Sequence, residues 1–284
     1  DVCSSDLQSI LHLADGRYLV AGYATGADGF TNFAVTRFNA DGTIDTSFGS
    51  GGTSTVDFAS DDDSAWSLAL DASGNILVAG ETYNASGTYD FALARFLPDG
   101  TLDTSFGTGG IQNYDFELDY DSAYGITVLP DGDILLAGKA LHPSTVNTYT
   151  IGLLRVNPDG SPDTAFGTNG RVTTLVGQDS AAAALSVDAA GRIVVAGEAW
   201  NGSDYDFMVA RYLADGTLDA TFGSGGTVVT DFAGSDDSAS AMLVQPDGKI
   251  VIGGYARGAT GNDIALVRYN ADGTLDTSFG SGGT

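Results

Sequence analysis

The chain has 284 residues, 37 acidic against 11 basic side chains, a net charge of −26, and 43% hydrophobic residues. A field of that sign repels phosphate backbones and anionic headgroups, which argues against nucleic-acid and membrane-surface partners. No apolar run approaches the ~18 residues of a membrane span, and one cysteine, Cys3, is too few for a disulfide framework or a cysteine metal site.

Residues 1–7, DVCSSDL, match the rest of the chain poorly and read as in-frame sequencing-adapter sequence, an assembly scar with no place in the fold. On that expectation the native N-terminus and any export signal are missing. A first strand is expected over Gln8–Leu13, followed by an Asp15-Gly16 turn. The pattern is clearest next along the chain. Ser64–Gly74 alternates apolar and polar residues into a turn, and Asn75–Asn84 is β-rich and ends in a polar loop. Asp90–Gly100 is a third strand closed by Pro-Asp-Gly, and Ile111–Glu117 is a fourth. Asp-Gly between alternating segments is a strong hairpin signal. It recurs after first strands at Asp131-Gly132 and Asp247-Gly248, and after third strands at Asp41-Gly42, Asp99-Gly100, Asp159-Gly160, Asp215-Gly216 and Asp272-Gly273.

The phrase DTSFGSGGT stands at Asp45–Thr53 and again at Asp276–Thr284, with variants from Asp103, Asp163 and Asp219. Its phenylalanine falls at Phe48, Phe106, Phe166, Phe222 and Phe279, so the separations are 58, 60, 56 and 57 residues. Such a period marks a repeat array. Four antiparallel strands in each period of about 57 residues describe a propeller blade. The fold class is therefore an all-β propeller of five four-stranded repeats, with units near 8–50, 51–108, 109–168, 169–224 and 225–284. Continuous apolar runs such as Ile193–Ala196 agree, because each blade is covered on both faces. In the recurring phrase, Asp45 is expected to cap one helical turn over Thr46–Phe48, with Gly49 ending it at positive φ and Phe48 filling the gap between blades. Strands one to three occur five times and strand four only four times, so the expectation is a fragment of a larger propeller.

The units resemble the delta-60 repeat family, a bacterial β-propeller repeat of unknown function, and more weakly NHL-type repeats. Pro246–Tyr255 (PDGKIVIGGY) and Asp263–Gly280 (DIALVRYNADGTLDTSFG) carry the resemblance, with counterparts in every unit from Gln8 onward. It implies an exported setting, extracellular or on the bacterial cell surface. It brings no catalytic residues.

Five of the 11 basic residues, Arg37, Arg95, Arg155, Arg211 and Arg268, occupy one place in strand three. They read as structural ion pairs with a carboxylate of the following turn, such as Asp45 or Asp103, in preference to a ring for an anionic ligand. Asn39–Asp45 and Asn270–Asp276 partly match Asp-rich calcium loops. However, Arg37 and Arg268 stand where the first ligand belongs, so plain turns are expected, with calcium the only cofactor to consider. Asp63, Asp121, Asp179 and Asp237 open first strands in Asp-Ser-Ala. They are weak metal candidates, as a ring at a channel mouth, against the plainer role of tying their own loops. Trp66 and Tyr124 follow that motif, while Tyr83, Trp200 and Tyr205 lie on variable loops; all five are candidates for stacking on a sugar. Asn84-Ala85-Ser86 and Asn201-Gly202-Ser203 fit the glycosylation pattern, without weight in a bacterial chain. His12 and His142 belong to no recognisable acid–base constellation. The expected function is a non-enzymatic interaction or display module of an exported protein, a monomeric part of a longer chain facing a protein or glycan surface. The alternatives are a carbohydrate- or divalent-cation-binding propeller and, last, a channel-mouth enzyme.

Overall fold

A computed structural model describes residues 5–58, 61–116, 120–141, 148–232, 234–258 and 261–284. The first sheet contains β1 (Ser5–His12), β2 (Tyr18–Thr25), β3 (Thr31–Phe38) and β4 (Thr53–Val56), and the second β5 (Asp63–Leu70), β6 (Ile76–Tyr83), β7 (Tyr89–Phe96) and β8 (Ile111–Tyr114). The third holds β9 (Ser122–Val128), β10 (Ile134–Leu141), β11 (Tyr149–Val156) and β12 (Arg171–Thr174). In the fourth are β13 (Ser180–Val187), β14 (Ile193–Trp200), β15 (Tyr205–Tyr212) and β16 (Thr227–Thr230), and in the fifth β17 (Asp237–Val244), β18 (Ile250–Gly258) and β19 (Gly261–Tyr269). Neighbours follow chain order in every sheet, as in propeller blades. No described helix is long and apolar enough to cross a membrane.

Two boundaries differ from the sequence reading. Strand β1 starts at Ser5, ahead of Gln8, because Ser5, Asp6 and Leu7 continue the ladder against Ala24, Tyr23 and Gly22. Each short fourth strand pairs with the third strand before it, as β4 does with β3. The sheets therefore run from strand one to strand four across the unit boundaries drawn from the recurring phrase.

Local chemistry explains the repeat. At the hairpin between β1 and β2, the Asp15 carboxylate accepts the Arg17 N–H at 3.1 Å while Gly16 turns the chain at φ 90°. First strands carry a bulge opposite a glycine of the second strand, as at Ala65/Ser67 and Ala182/Ala184. A Cβ on Gly80 would stand 1.9 Å from the Ser64 carbonyl oxygen, and on Gly197 2.0 Å from that of Ala181. The Ala-Gly pair repeated in strand two is therefore a packing requirement of the bulge. After strand three, Asp45 Oδ1 accepts the Ser47 N–H at 3.1 Å and hydroxyl at 2.5 Å. The Phe48 N–H then returns to the Asp45 carbonyl at 3.0 Å, a single turn that does not grow into a helix because Gly49 reverses the chain at φ 50°.

By its contacts the chain divides into two compact units, Asp1–Leu136 with Arg155–Pro162, and Ala137–Leu154 with Asp163–Thr284. In the first unit, Leu19, Phe33, Val35, Phe48, Ile76 and Val78 belong to one core between the first two sheets. The second unit repeats the arrangement with Val194, Phe207, Val209, Phe222, Ile250 and Ile252 between the fourth and fifth.

Candidate functional site

Four of the five strand-three arginines pair with the turn that follows them. Nε of Arg37 lies 2.8 Å from Asp45, Arg95 2.7 Å from Asp103, Arg211 2.8 Å from Asp219 and Arg268 2.7 Å from Asp276. Each of these four guanidinium groups lies 4.5–4.7 Å over the phenylalanine of its own turn. Beyond it, Arg37 and Arg95 donate at 2.6 Å to the carbonyls of Pro98 and Pro158 in the next sheet's turn, and Arg211 donates to that of Ala271. With those donors directed at protein atoms, these side chains offer no open fork to an external anion. Arg155 Nε is 3.7 Å from Asp133. Asp133 occupies the hairpin position held elsewhere by the cations Arg17, Arg192 and Lys249, which approach Asp45, Asp219 and Asp276 at 3.0, 3.8 and 2.7 Å. The Asp45 carboxyl is held well below the usual carboxylate range, first by the Ser47 hydroxyl and then by Arg17 and Arg37.

Four aspartates were weak metal candidates, and the register separates one from the rest. Asp63 pairs with Thr82 and Asp237 with Ala256, whereas it is Ser180 that stands at the equivalent place opposite Ala199. Asp179 lies one position earlier, where it shares the role of Asp62 and Asp236. The three accept the N–H of Tyr149, Thr31 and Tyr205, the first residues of third strands. Asp63, Asp121 and Asp237 are fully buried. They accept the N–H of Phe58, Phe116 and Phe232 at 2.9, 2.9 and 2.8 Å, which ties the loop entering the strand. Burial pushes Asp63 up to about 6. The Asp-rich loop at Asn39–Asp45 is closed on itself: Asp41 Oδ1 accepts both the N–H and the hydroxyl of Thr43, at 3.0 and 2.6 Å.

Among the aromatic candidates, Trp66 and Tyr124 meet edge to face at 5.8 Å, and Tyr23 joins them 6.4 Å from Trp66. Tyr83 packs on Tyr89 at 5.1 Å, with Tyr120 5.9 Å beyond. Trp200 and Tyr205 face each other at 5.0 Å as the last cross-strand pair of their hairpin. They line an open groove of about 310 Å³ with Thr148, Gln178 and Asp179. The groove is fixed by backbone bonds, since the Trp200 N–H donates to the Asp179 carbonyl at 2.7 Å and the Gln178 N–H to the Trp200 carbonyl at 2.9 Å. Burial first, then the charges of Asp179 and Glu198, push the Tyr205 phenol up, so it stays a protonated donor beside a carboxylate. Sequence reasoning had missed Tyr23, Tyr89, Tyr120 and Gln178. For Tyr89 the cross-strand position opposite Tyr83 was the available signal. The described residues contain one histidine, His12, exposed and 4.9 Å from the Tyr18 ring; His142 lies outside them.

Comparison with known proteins bears on the fold. A family model described as a domain of unknown function (DUF5122) β-propeller matches residues 13–48, 72–106, 129–166, 191–222 and 245–279. No curated protein matches the chain. A protein of unknown function from Dyadobacter fermentans superposes with a TM-score of 0.54 at 14% identity, over 94% of this chain and 80% of that one. A putative oxidoreductase (glucose dehydrogenase) from Thermus thermophilus gives 0.52 at 17% identity, over 93% and 84%. Puromycin hydrolase gives 0.54 at 14% identity, over 95% of this chain but 38% of that one. At such identities these likenesses speak for the fold alone.

Proposed function

We propose, from the premise that the chain belongs to the DUF5122 β-propeller family, that it acts as a non-catalytic binding module of an exported bacterial protein, with glycan as its ligand class. The observation that carries this reading is the groove of Trp200, Tyr205, Gln178, Asp179 and Thr148. Two half-buried rings in edge-to-face contact form the aromatic wall of an otherwise polar groove, where a carboxylate, an amide and a hydroxyl stand to meet a sugar's hydroxyls. The ring pair bridges β14 and β15, so the stacking surface is held by a ladder and needs little ordering on binding. Catalysis is not part of the proposal, because among the described residues lining the groove Asp179 is the one carboxylate and no histidine stands beside it.

A glycan array probed with the full chain, followed by calorimetry on any hit, tests the reading. A sugar that binds the parent chain and loses at least ~10-fold in affinity in Trp200→Ala supports it, as expected for loss of a stacking ring. Binding unchanged in Trp200→Ala and in Tyr205→Ala, or an array with no hit, rejects it.

A further inference from the structure

Two further groups of carboxylates occupy equivalent positions in different sheets. Asp90, Asp115 and Asp121 bring one oxygen each within 4.8 Å of one another, and Asp206, Asp231 and Asp237 do the same. Each group draws its members from the start of strand three, the end of strand four and the start of the next strand one. Both keep the same spacing, 25 and then 6 residues.

Clustered acids alone would say little, but here they exceed what the fold requires. Asp237 Oδ2 accepts the Phe232 N–H at 2.8 Å, and the one sheet junction that lacks the acids shows that a hydroxyl suffices for this task. There the three positions are Thr150, Leu175 and Ser180, and Ser180 Oγ accepts the Val176 N–H at 3.1 Å. Thr150 turns its hydroxyl to the Ala140 carbonyl at 3.1 Å. All three carboxylates are absent at that junction.

Asp206 supplies the second observation. It is 3% exposed, its Oδ2 accepts Asn201 Nδ2 at 2.8 Å, and its Oδ1 is buried with no hydrogen-bond partner among the described residues. A buried carboxylate oxygen without a partner, in a residue clustered with two more carboxylates, calls for a positive ligand. Among the described residues no cationic side chain forms an ion pair with Asp90, Asp206 or Asp237. Burial, then the neighbouring acids, raises the pKa of both Asp206 and Asp90.

We infer that the Asp206 triad is a binding site for a hard divalent cation, calcium in particular, and that the Asp90 triad, in which Asp90 Oδ2 accepts Asn113 Nδ2 at 3.2 Å, is its counterpart by position and spacing. The donor set is all oxygen, with no histidine or cysteine to favour zinc. Each triad carries three formal charges, and one exposed member, Asp115 or Asp231, leaves room for water to complete the six to eight oxygens that calcium takes. Asn32, Asp57 and Asp63 hold the same spacing in the first sheet with one charge fewer, and are expected to bind more weakly. This inference does not depend on the glycan reading.

Calorimetry of calcium chloride into the chelator-dialysed full chain tests it, with thermal melts in parallel. The expected result is two tighter equivalents of calcium with Kd near ~10⁻⁴ M, the range of extracellular calcium modules, and a rise in Tm. Asp115→Asn and Asp231→Asn change exposed residues and keep a side-chain oxygen as acceptor, for Asp231 that of the Gly234 N–H at 2.6 Å; each should remove one equivalent, and the double variant both, with melts in chelator close to the parent's. Three outcomes overturn the proposal. One is no heat and no shift at ~10 mM calcium, well above that range. Another is a shift that magnesium reproduces and the double variant retains, which is diffuse screening of the acidic surface. The last is stabilisation by acid in place of calcium, which means the triads share protons.

Discussion

Replacing Arg211 by alanine is the sharpest test of how the blades are joined. Its side chain is 3% exposed and makes four contacts at once: Asp219 through Nε at 2.8 Å, Thr221 through a terminal nitrogen at 3.4 Å, the Ala271 carbonyl, and the Phe222 ring at 4.5 Å. Truncation leaves Asp219, itself 4% exposed, with Arg192 at 3.8 Å as its one remaining countercharge among the described residues. Removing one partner of a buried ion pair costs about 3–5 kcal/mol, because the other charge stays desolvated. For a chain of this size each kcal/mol moves Tm by roughly 2–4 °C, so a drop of about 10 °C is expected. The Arg268 side chain is 22% exposed, and Arg268→Ala should lose clearly less. Lysine at position 211 should fail to rescue, since an ammonium has neither the fork nor the plane that stacks on Phe222. Urea unfolding followed by tryptophan fluorescence reads all three variants. A loss below ~1 kcal/mol in Arg211→Ala, the size of an exposed pair, would refute the clamp.

Other substitutions probe the bulge and the buried acids. Gly197→Ala drives a methyl group into backbone 2.0 Å away, while at Gly253 the nearest atom is the tip of Leu266 at 3.1 Å. The first change should cost about 3 kcal/mol and the second about 1 or less by denaturant melts; equal costs would dismiss the bulge argument. Asp63 has a folded pKa of about 6, above its unfolded value, so its ionised form opposes folding at pH 7 and the penalty fades as pH falls through 6 towards 4. Asp63→Asn in chelator should therefore be at least as stable as the parent at pH 7, by up to about 3 kcal/mol, with the advantage gone near pH 4. A constant difference across that range would contradict the burial argument.

Features that repeat at a fixed offset were legible in the sequence. The period, the Asp-Gly turns and the arginine with its Asp-x-x-Phe-Gly turn each lie in a short stretch, and five copies make the pattern stand out. Asp179 was misplaced for a physical reason. The loop from Thr174 to Ser180 is one residue shorter than those from Thr230 to Asp237 and from Val56 to Asp63, which slides the letters Asp-Ser-Ala out of register. Burial of Ala65, Ala182 and Ala239 at matching positions fixes the strand, so side-chain alternation overrides the letter match. The carboxylate triads went unread because their members come from three strands, and nothing adjacent to Asp206 in sequence points to Asp231. The groove at Trp200 was half visible: the rings were singled out by type, whereas Gln178 enters only through a backbone bond across the sheet.

The arginine's reach into the following sheet bears on how such a chain changes in length. Three repeats carry a guanidinium that is completed by the next repeat's turn carbonyl, at Pro98 for Arg37, Pro158 for Arg95 and Ala271 for Arg211. The acceptor is a main-chain atom, which every copy supplies whatever its side chains. A duplicated or deleted period therefore brings its own half of the joint and finds the other half waiting. Copy number can drift by whole repeats through recombination without stranding a buried charge, while a cut at any other phase would strand one.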